Sequence, residues 1–160
     1  MRIFISILCT LVVLSSDLAI AADPTYPGFQ CMPSPSGGTD PDISYSVSSL
    51  WNTHPTYPRP VYCPVLRQNV MNTNGVDSAF VRVYDASPDY GFSCTLYAYS
   101  TTGAVLESES AITGTAFTGA TTLYFEGLSS SSVGGHFGIY CSVPPGYSRI
   151  YSYRVKEFEQ

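Results

Sequence analysis

From residue 44 onward, apolar and polar side chains alternate with a period of two in short runs, and turn residues separate the runs. No stretch holds the 3.6-residue period of an amphipathic helix. Eight runs read as strands: 44–50, 60–66, 79–85, 91–100, 104–110, 121–126, 136–143 and 149–157. They are rich in β-branched and aromatic residues, the types that fit a pleated surface. Gly75, Gly103 and Gly146 stand in the breaks, the last directly after two prolines. Alternation also assigns faces. Over 91–100, Phe92, Cys94, Leu96 and Ala98 share one side, and Ser93, Thr95, Tyr97 and Tyr99 the other. Over 136–143, Phe137, Ile139, Cys141 and Val143 oppose Gly138, Tyr140 and Ser142. Strands with one apolar and one polar side belong to antiparallel sheets that cover a core on one face. The expected fold is therefore all-β, a jelly-roll-like antiparallel β-sandwich of about eight strands. An immunoglobulin arrangement does not fit. Trp51 precedes both strand cysteines, and Ile139, not a tyrosine, stands two residues before Cys141.

The N-terminal residues follow a different pattern. Arg2 precedes a nearly unbroken apolar run over 3–14, polar residues break it, and Ala19-Ile20-Ala21 places small residues at a cleavage point. This is the layout of a secretory signal peptide over 1–21, with an apolar run too short for a permanent span of about 20 residues. Leu8 precedes Cys9 where a lipoprotein signal needs a small residue, so no lipid anchor is expected there. Residues 22–43 are rich in Pro, Gly, Ser and Asp and read as an extended arm, which leaves 44–160 for the sandwich domain. No transmembrane segment is expected after residue 21. Export predicts a secreted or periplasmic protein with disulfides among Cys31, Cys63, Cys94 and Cys141. Cys31 lies in the arm, which gains order if tied to the body, and Cys63 is the nearest later cysteine. Cys94 and Cys141 both sit on core-facing sides of strands. The expected bridges are Cys31–Cys63 and Cys94–Cys141. Structural zinc is the rival use of these cysteines, but no two of them stand at its C-x₂₋₄-C spacing.

Charge removes several classes of partner. Net charge is −5, and Lys156 is the only lysine. A nucleic acid needs a basic surface to neutralise its phosphates, and an anionic membrane needs the same, so neither partner is expected. Tyrosine is in excess, at 13 residues, and suits both strands and contact surfaces for sugars or proteins. Five segments carry a resemblance: Val61-Tyr62-Cys63-Pro64-Val65, Val81-Arg82-Val83-Tyr84-Asp85, Ser93-Cys94-Thr95-Leu96-Tyr97, Tyr140-Cys141-Ser142-Val143-Pro144-Pro145 and Tyr151-Ser152-Tyr153-Arg154-Val155. Together they resemble an uncharacterised family of small secreted bacterial β-sandwich proteins with a Cys-Pro strand and paired strand cysteines. The resemblance spans roughly 44–157. It implies the fold and brings no catalytic or binding residue with it.

Candidate chemistry is sparse. A Ser-His-Asp set could draw on His54 or His136, but no Gly-x-Ser-x-Gly elbow occurs. His54 lies in a Pro-rich loop and His136 follows Gly134-Gly135 at a strand start, so both read as surface histidines. Glu107 and Glu109 share one face of 104–110 and point the same way. That suits a solvated strand face that discourages edge pairing better than two carboxylates flanking a glycosidic bond. Asp40, Asp42, Asp85 and Asp89 are weak calcium candidates at oxygen-rich turns. No Asp-x-Asp-x-Asp-Gly loop accompanies them, turn formation accounts for them, and no cofactor is expected. An aromatic surface remains. Tyr97, Tyr99, Tyr124 and Tyr140 all point away from the apolar sides of their strands, and form one hydroxyl-rich face if those strands are neighbours. Trp51 is a further contact candidate. Such a face stacks on sugar rings or binds protein, whereas cross-strand tyrosine pairing is its purely structural alternative. The expected function is a non-catalytic binding module for a glycan or a cell-surface protein. A structural or protein-interaction subunit of the envelope is the runner-up, and a small hydrolase a remote third.

Overall fold

The computed structural model describes residues 24–158, apart from 35–38, 69 and 72. The expected signal segment 1–21 lies outside the described residues. The chain forms β1 (Thr25–Pro27), β2 (Met32–Pro33), β3 (Ile43–Tyr45), β4 (Leu50–Asn52), β5 (Arg59–Val65), β6 (Val76–Asp85), β7 (Ser93–Tyr99), β8 (Val105–Ile112), β9 (Gly119–Phe125), β10 (His136–Val143) and β11 (Arg149–Glu157). These build two antiparallel sheets in a jelly-roll-like sandwich. Sheet A has the order β3-β4-β11-β6-β9, with β1 also paired to β11; sheet B has the order β2-β5-β10-β7-β8. The sheets are assembled from strands far apart in sequence, β6 beside β11 and β5 beside β10. Among the described residues no helix is long and apolar enough to cross a membrane.

The alternating pattern sets the core. Phe92, Leu96, Ala98, Phe137, Ile139 and Val143 of sheet B and its approaches are buried. Val81, Val83, Leu123, Phe125, Ile150 and Val155 of sheet A are buried too. Each of the larger side chains among them contributes about 1.5–3 kcal/mol when fully removed from water. Both expected disulfides form, and both lie in sheet B. Cys94 and Cys141 stand directly opposite each other on β7 and β10, and Cys31, just before β2, joins Cys63 of β5.

Eleven strands among the described residues replace the expected eight or so, for two reasons. The run 44–50 is not one strand. The chain leaves β3 after Tyr45, turns through Ser46–Val47–Ser48–Ser49, and returns antiparallel as β4. The Ser46 amide donates to the Ser49 carbonyl at 2.9 Å, and the two hydroxyls lie 2.9 Å apart. Serines offer the backbone this local alternative to a ladder. The segment read as an arm also supplies β1 and β2. Tyr26 of β1 is buried, and its ring stacks on Tyr153 of β11 at 5.1 Å. Their hydroxyls donate across to sheet B, to the carbonyls of Leu66 (3.0 Å) and Pro64 (2.7 Å). The arm's proline-rich stretch is thus compatible with short edge pairing, one of the placements in which a sheet tolerates proline.

Candidate functional site

The outer face of sheet B carries a clustered set of rings. Register lays its outward residues in rows: Tyr62 of β5 opposite Tyr140 of β10, Gly138 of β10 opposite Tyr97 of β7, and His136 opposite Tyr99. Tyr97 stacks on Tyr99 with ring centroids 5.6 Å apart, and Tyr99 stacks on His136 at 4.8 Å. The Tyr62 ring lies across Gly138. A β-carbon added there would stand 2.3–2.6 Å from its outer ring atoms and hydroxyl. Glycine in a strand commonly marks such a close approach. Burial pushes the Tyr62 and Tyr99 hydroxyls above the usual tyrosine range, Tyr99 and Tyr97 respectively adding to the effect. Both phenols are therefore neutral donors at ordinary pH. Hydroxyls continue the face onto β8, where Thr95 and Ser110 lie 2.8 Å apart. Among the described residues, the outward positions of this sheet include no Asp, Glu, Lys or Arg. The cysteine bridges lie beneath, on the core side.

The five expected aromatic residues do not form one face. Tyr97, Tyr99 and Tyr140 come together on sheet B, because β7 and β10 are neighbours. Tyr124 belongs to β9 at the edge of sheet A, where it is 74% exposed and stands opposite Phe80. Trp51 also lies on sheet A, opposite Arg149, whose guanidinium sits 6.0 Å from its ring centroid. The sequence does not reveal which sheet a strand joins. Tyr62 and His136 were missing from the expected set. Alternation within 60–66 already put Tyr62 opposite Cys63, and an outward Gly138 between two ring-bearing positions marks where a ring from the next strand can cross.

The polar candidates are placed as follows. His54 is half-buried, and its Nδ1 accepts from the amides of Thr56 (3.1 Å) and Tyr57 (2.9 Å), which fixes the loop. His136 is exposed and takes part in the ring stack. Glu107 and Glu109 do not form a solvated outer face. They project from β8 on the same side as the core positions and hold the loop after β9. Glu109 accepts from the amides of Glu126 (2.9 Å) and Gly127 (3.0 Å), and Glu107 from the Ser130 amide (2.8 Å). Asp40 and Asp42 both face Arg59. Asp85 is fully buried and accepts from the Ser87 amide and the hydroxyls of Thr113 and Ser148. Asp89 lines a loop-end cleft of roughly 280 Å³ with Tyr90, Pro55 and Pro145. Among the described residues no group of three or more His, Cys, Asp or Glu is placed to hold a metal ion.

No protein-family model matches the chain, and no curated relative matches it. Among solved structures it is similar to the carbohydrate-binding module CBM6cm-2 from Cellvibrio mixtus lichenase 5A in complex with cellotriose, at 16% identity and a TM-score of 0.47, over 85% of this chain and 98% of that one. A family 6 carbohydrate-binding module whose binding sub-sites were dissected is 12% identical with a TM-score of 0.40, over 82% of this chain and 95% of that one. An arabinose-bound GH51 α-L-arabinofuranosidase is 17% identical with a TM-score of 0.43, over 74% of this chain. The chain spans 21% of that enzyme's length.

Proposed function

We propose that this is an exported, non-catalytic carbohydrate-binding module that takes a neutral glycan on the outer face of sheet B. The observation that carries this reading is the ring set around Gly138: Tyr62, Tyr97, Tyr99, Tyr140 and His136 on a face with no Asp, Glu, Lys or Arg. A sugar presents apolar C–H faces and hydroxyls. Tyrosine matches both, with an apolar ring and a polar tip. The missing charges favour a neutral ligand, since a buried unpaired charge would cost affinity. Two disulfides and the central pairing of β5, β10 and β7 brace the face before binding, which lowers the entropic cost of association.

Ring contacts of this kind contribute about 0.5–1.5 kcal/mol each, so the affinity is modest and shared among several rings. The test is a screen of the oxidised protein against a glycan array and insoluble neutral polysaccharides, with calcium and with chelator. Binding is expected, and Tyr97→Ala or Tyr140→Ala should each weaken it about three- to tenfold, with thermal midpoints close to the parent. If the tyrosine variants lose stability and leave glycan retention unchanged, the rings are cross-strand packing only. If folded protein retains no glycan at all, the protein-interaction role in the envelope takes precedence.

A further inference from the structure

The outer face of sheet A differs in kind from that of sheet B. Among the described residues the cations are Arg59, Arg67, Arg82, Arg149, Arg154 and Lys156. Arg59 is engaged by Asp40 and Asp42, and Arg67, with only 2% of its side chain exposed, by Glu157. The other four all stand on outward positions of the neighbouring strands β6 and β11. Rings alternate with them. One row runs Trp51, Arg149, Tyr84, and another Arg154, Phe80, Tyr124. The Arg82 guanidinium lies 5.2 Å from the Phe80 centroid, and that of Arg149 lies 5.7 Å from Tyr84. A guanidinium carries its N–H donors in a planar fork that matches a carboxylate. At one end, Phe80, Tyr124, Arg154 and Lys156 line a groove of roughly 260 Å³. Asp77 lines the same groove, 2.9 Å from Lys156.

We infer that sheet A binds a second ligand, a carboxylate-bearing polysaccharide of the uronic acid class, with Arg82 and Arg149 taking carboxylates and Trp51, Tyr84 and Tyr124 taking sugar faces. Charge complementarity selects the occupant. A chain of net charge −5 gathers four cations on one sheet face, three arginines and a lysine that Asp77 pairs. Duplex nucleic acid, with a charge every 1.7 Å or so along its axis, is poorly served by so few cations on an acidic chain. An acidic polypeptide supplies carboxylates but few planar apolar surfaces for the alternating rings. A polyuronate supplies both on every residue. This second face stands whether or not sheet B takes a neutral glycan, and the two proposals fail separately because their variants lie on opposite sides of the sandwich.

The probe is polygalacturonate, with its fully methyl-esterified form as the neutral control, in affinity electrophoresis and calorimetry of the oxidised protein. Polygalacturonate should bind, the ester should bind at least about tenfold more weakly, and added salt should weaken the first. Arg82→Gln/Arg149→Gln should cut polygalacturonate affinity about tenfold or more at an unchanged thermal midpoint, while Tyr97→Ala leaves it intact. Equal binding of acid and ester, indifference to the double substitution, or no binding at all overturns the proposal. So does tighter binding to poly-glutamate or duplex DNA, which would reassign the face to another partner class.

Discussion

Gly138 leaves the space in which the Tyr62 ring lies, and the contact is with the far end of that side chain. The phenol can therefore swing aside if a methyl group is introduced, whereas the strand backbone need not move. Gly138→Ala should displace the ring from the centre of the sheet B face and weaken neutral-glycan retention about three- to tenfold. The cost to stability should stay below about 1 kcal/mol, because alanine suits a strand at least as well as glycine. Retention and thermal midpoint measured on one preparation separate the two effects. An unchanged retention would mean that Tyr62 does not touch the ligand. Asp85 shows the opposite case, a residue whose chemistry is wholly internal. Its carboxylate joins the end of β6 to the loop before β7, the segment after β8 and the loop before β11, through Ser87, Thr113 and Ser148. A carboxylate so enclosed organises loops and is not displayed to a ligand.

At the scale of elements, the two disulfides act on the sheet that carries the rings. Each joins adjacent chain segments in sheet B, closing loops of 32 and 47 residues in sequence separation. Chain entropy alone assigns each about 3–4 kcal/mol. Reduction should therefore lower the thermal midpoint by well over 10 °C and abolish glycan retention with it. A reduced protein that melts like the oxidised one would remove the bridges from the account of stability. Much of this level was legible in the sequence. Period-two alternation located β5 to β11 and put Cys94 and Cys141 on core sides, because burial on one face forces that period. The hairpin of β3 and β4 was not legible, since Ser46 to Ser49 read as strand by alternation while their hydroxyls favour a turn. Nor was the partition of the rings. Alternation decides which side of its own strand a residue occupies, but sheet membership depends on long-range pairing. Tyr124 and Tyr140 show the same outward position in sequence and end on opposite faces of the sandwich.

The whole molecule has a neutral ring face on sheet B and a cationic ring face on sheet A, and its carboxylates at loops, on β8 and at the ends of β6 and β11 are largely tied to the protein's own donors. Tyrosine links this surface to the core. Tyr26 and Tyr153 bridge the sheets, Tyr62 and Tyr99 build the ring face, and Tyr45 lies beside Asp40. Burial is the leading cause that raises the phenol of each above the ordinary value of 10.0, with Tyr153 raised most. The folded state thus holds these protons at a pH where the unfolded chain releases them. Above that pH the unfolded state binds fewer protons, so stability falls as pH rises. The tyrosine contribution is complete below about pH 10 and is lost progressively as pH climbs through the folded values. The thermal midpoint should stay level from about pH 8 to 9.5 and then fall steeply. Tyr153→Phe begins from a lower midpoint, because the Pro64 carbonyl loses its donor, yet it should fall less steeply above pH 11 or so. Equal slopes for the two proteins would mean that Tyr153 does not stay protonated in the folded state. The stacked pair between the sheets would then not be the neutral bridge that its geometry describes.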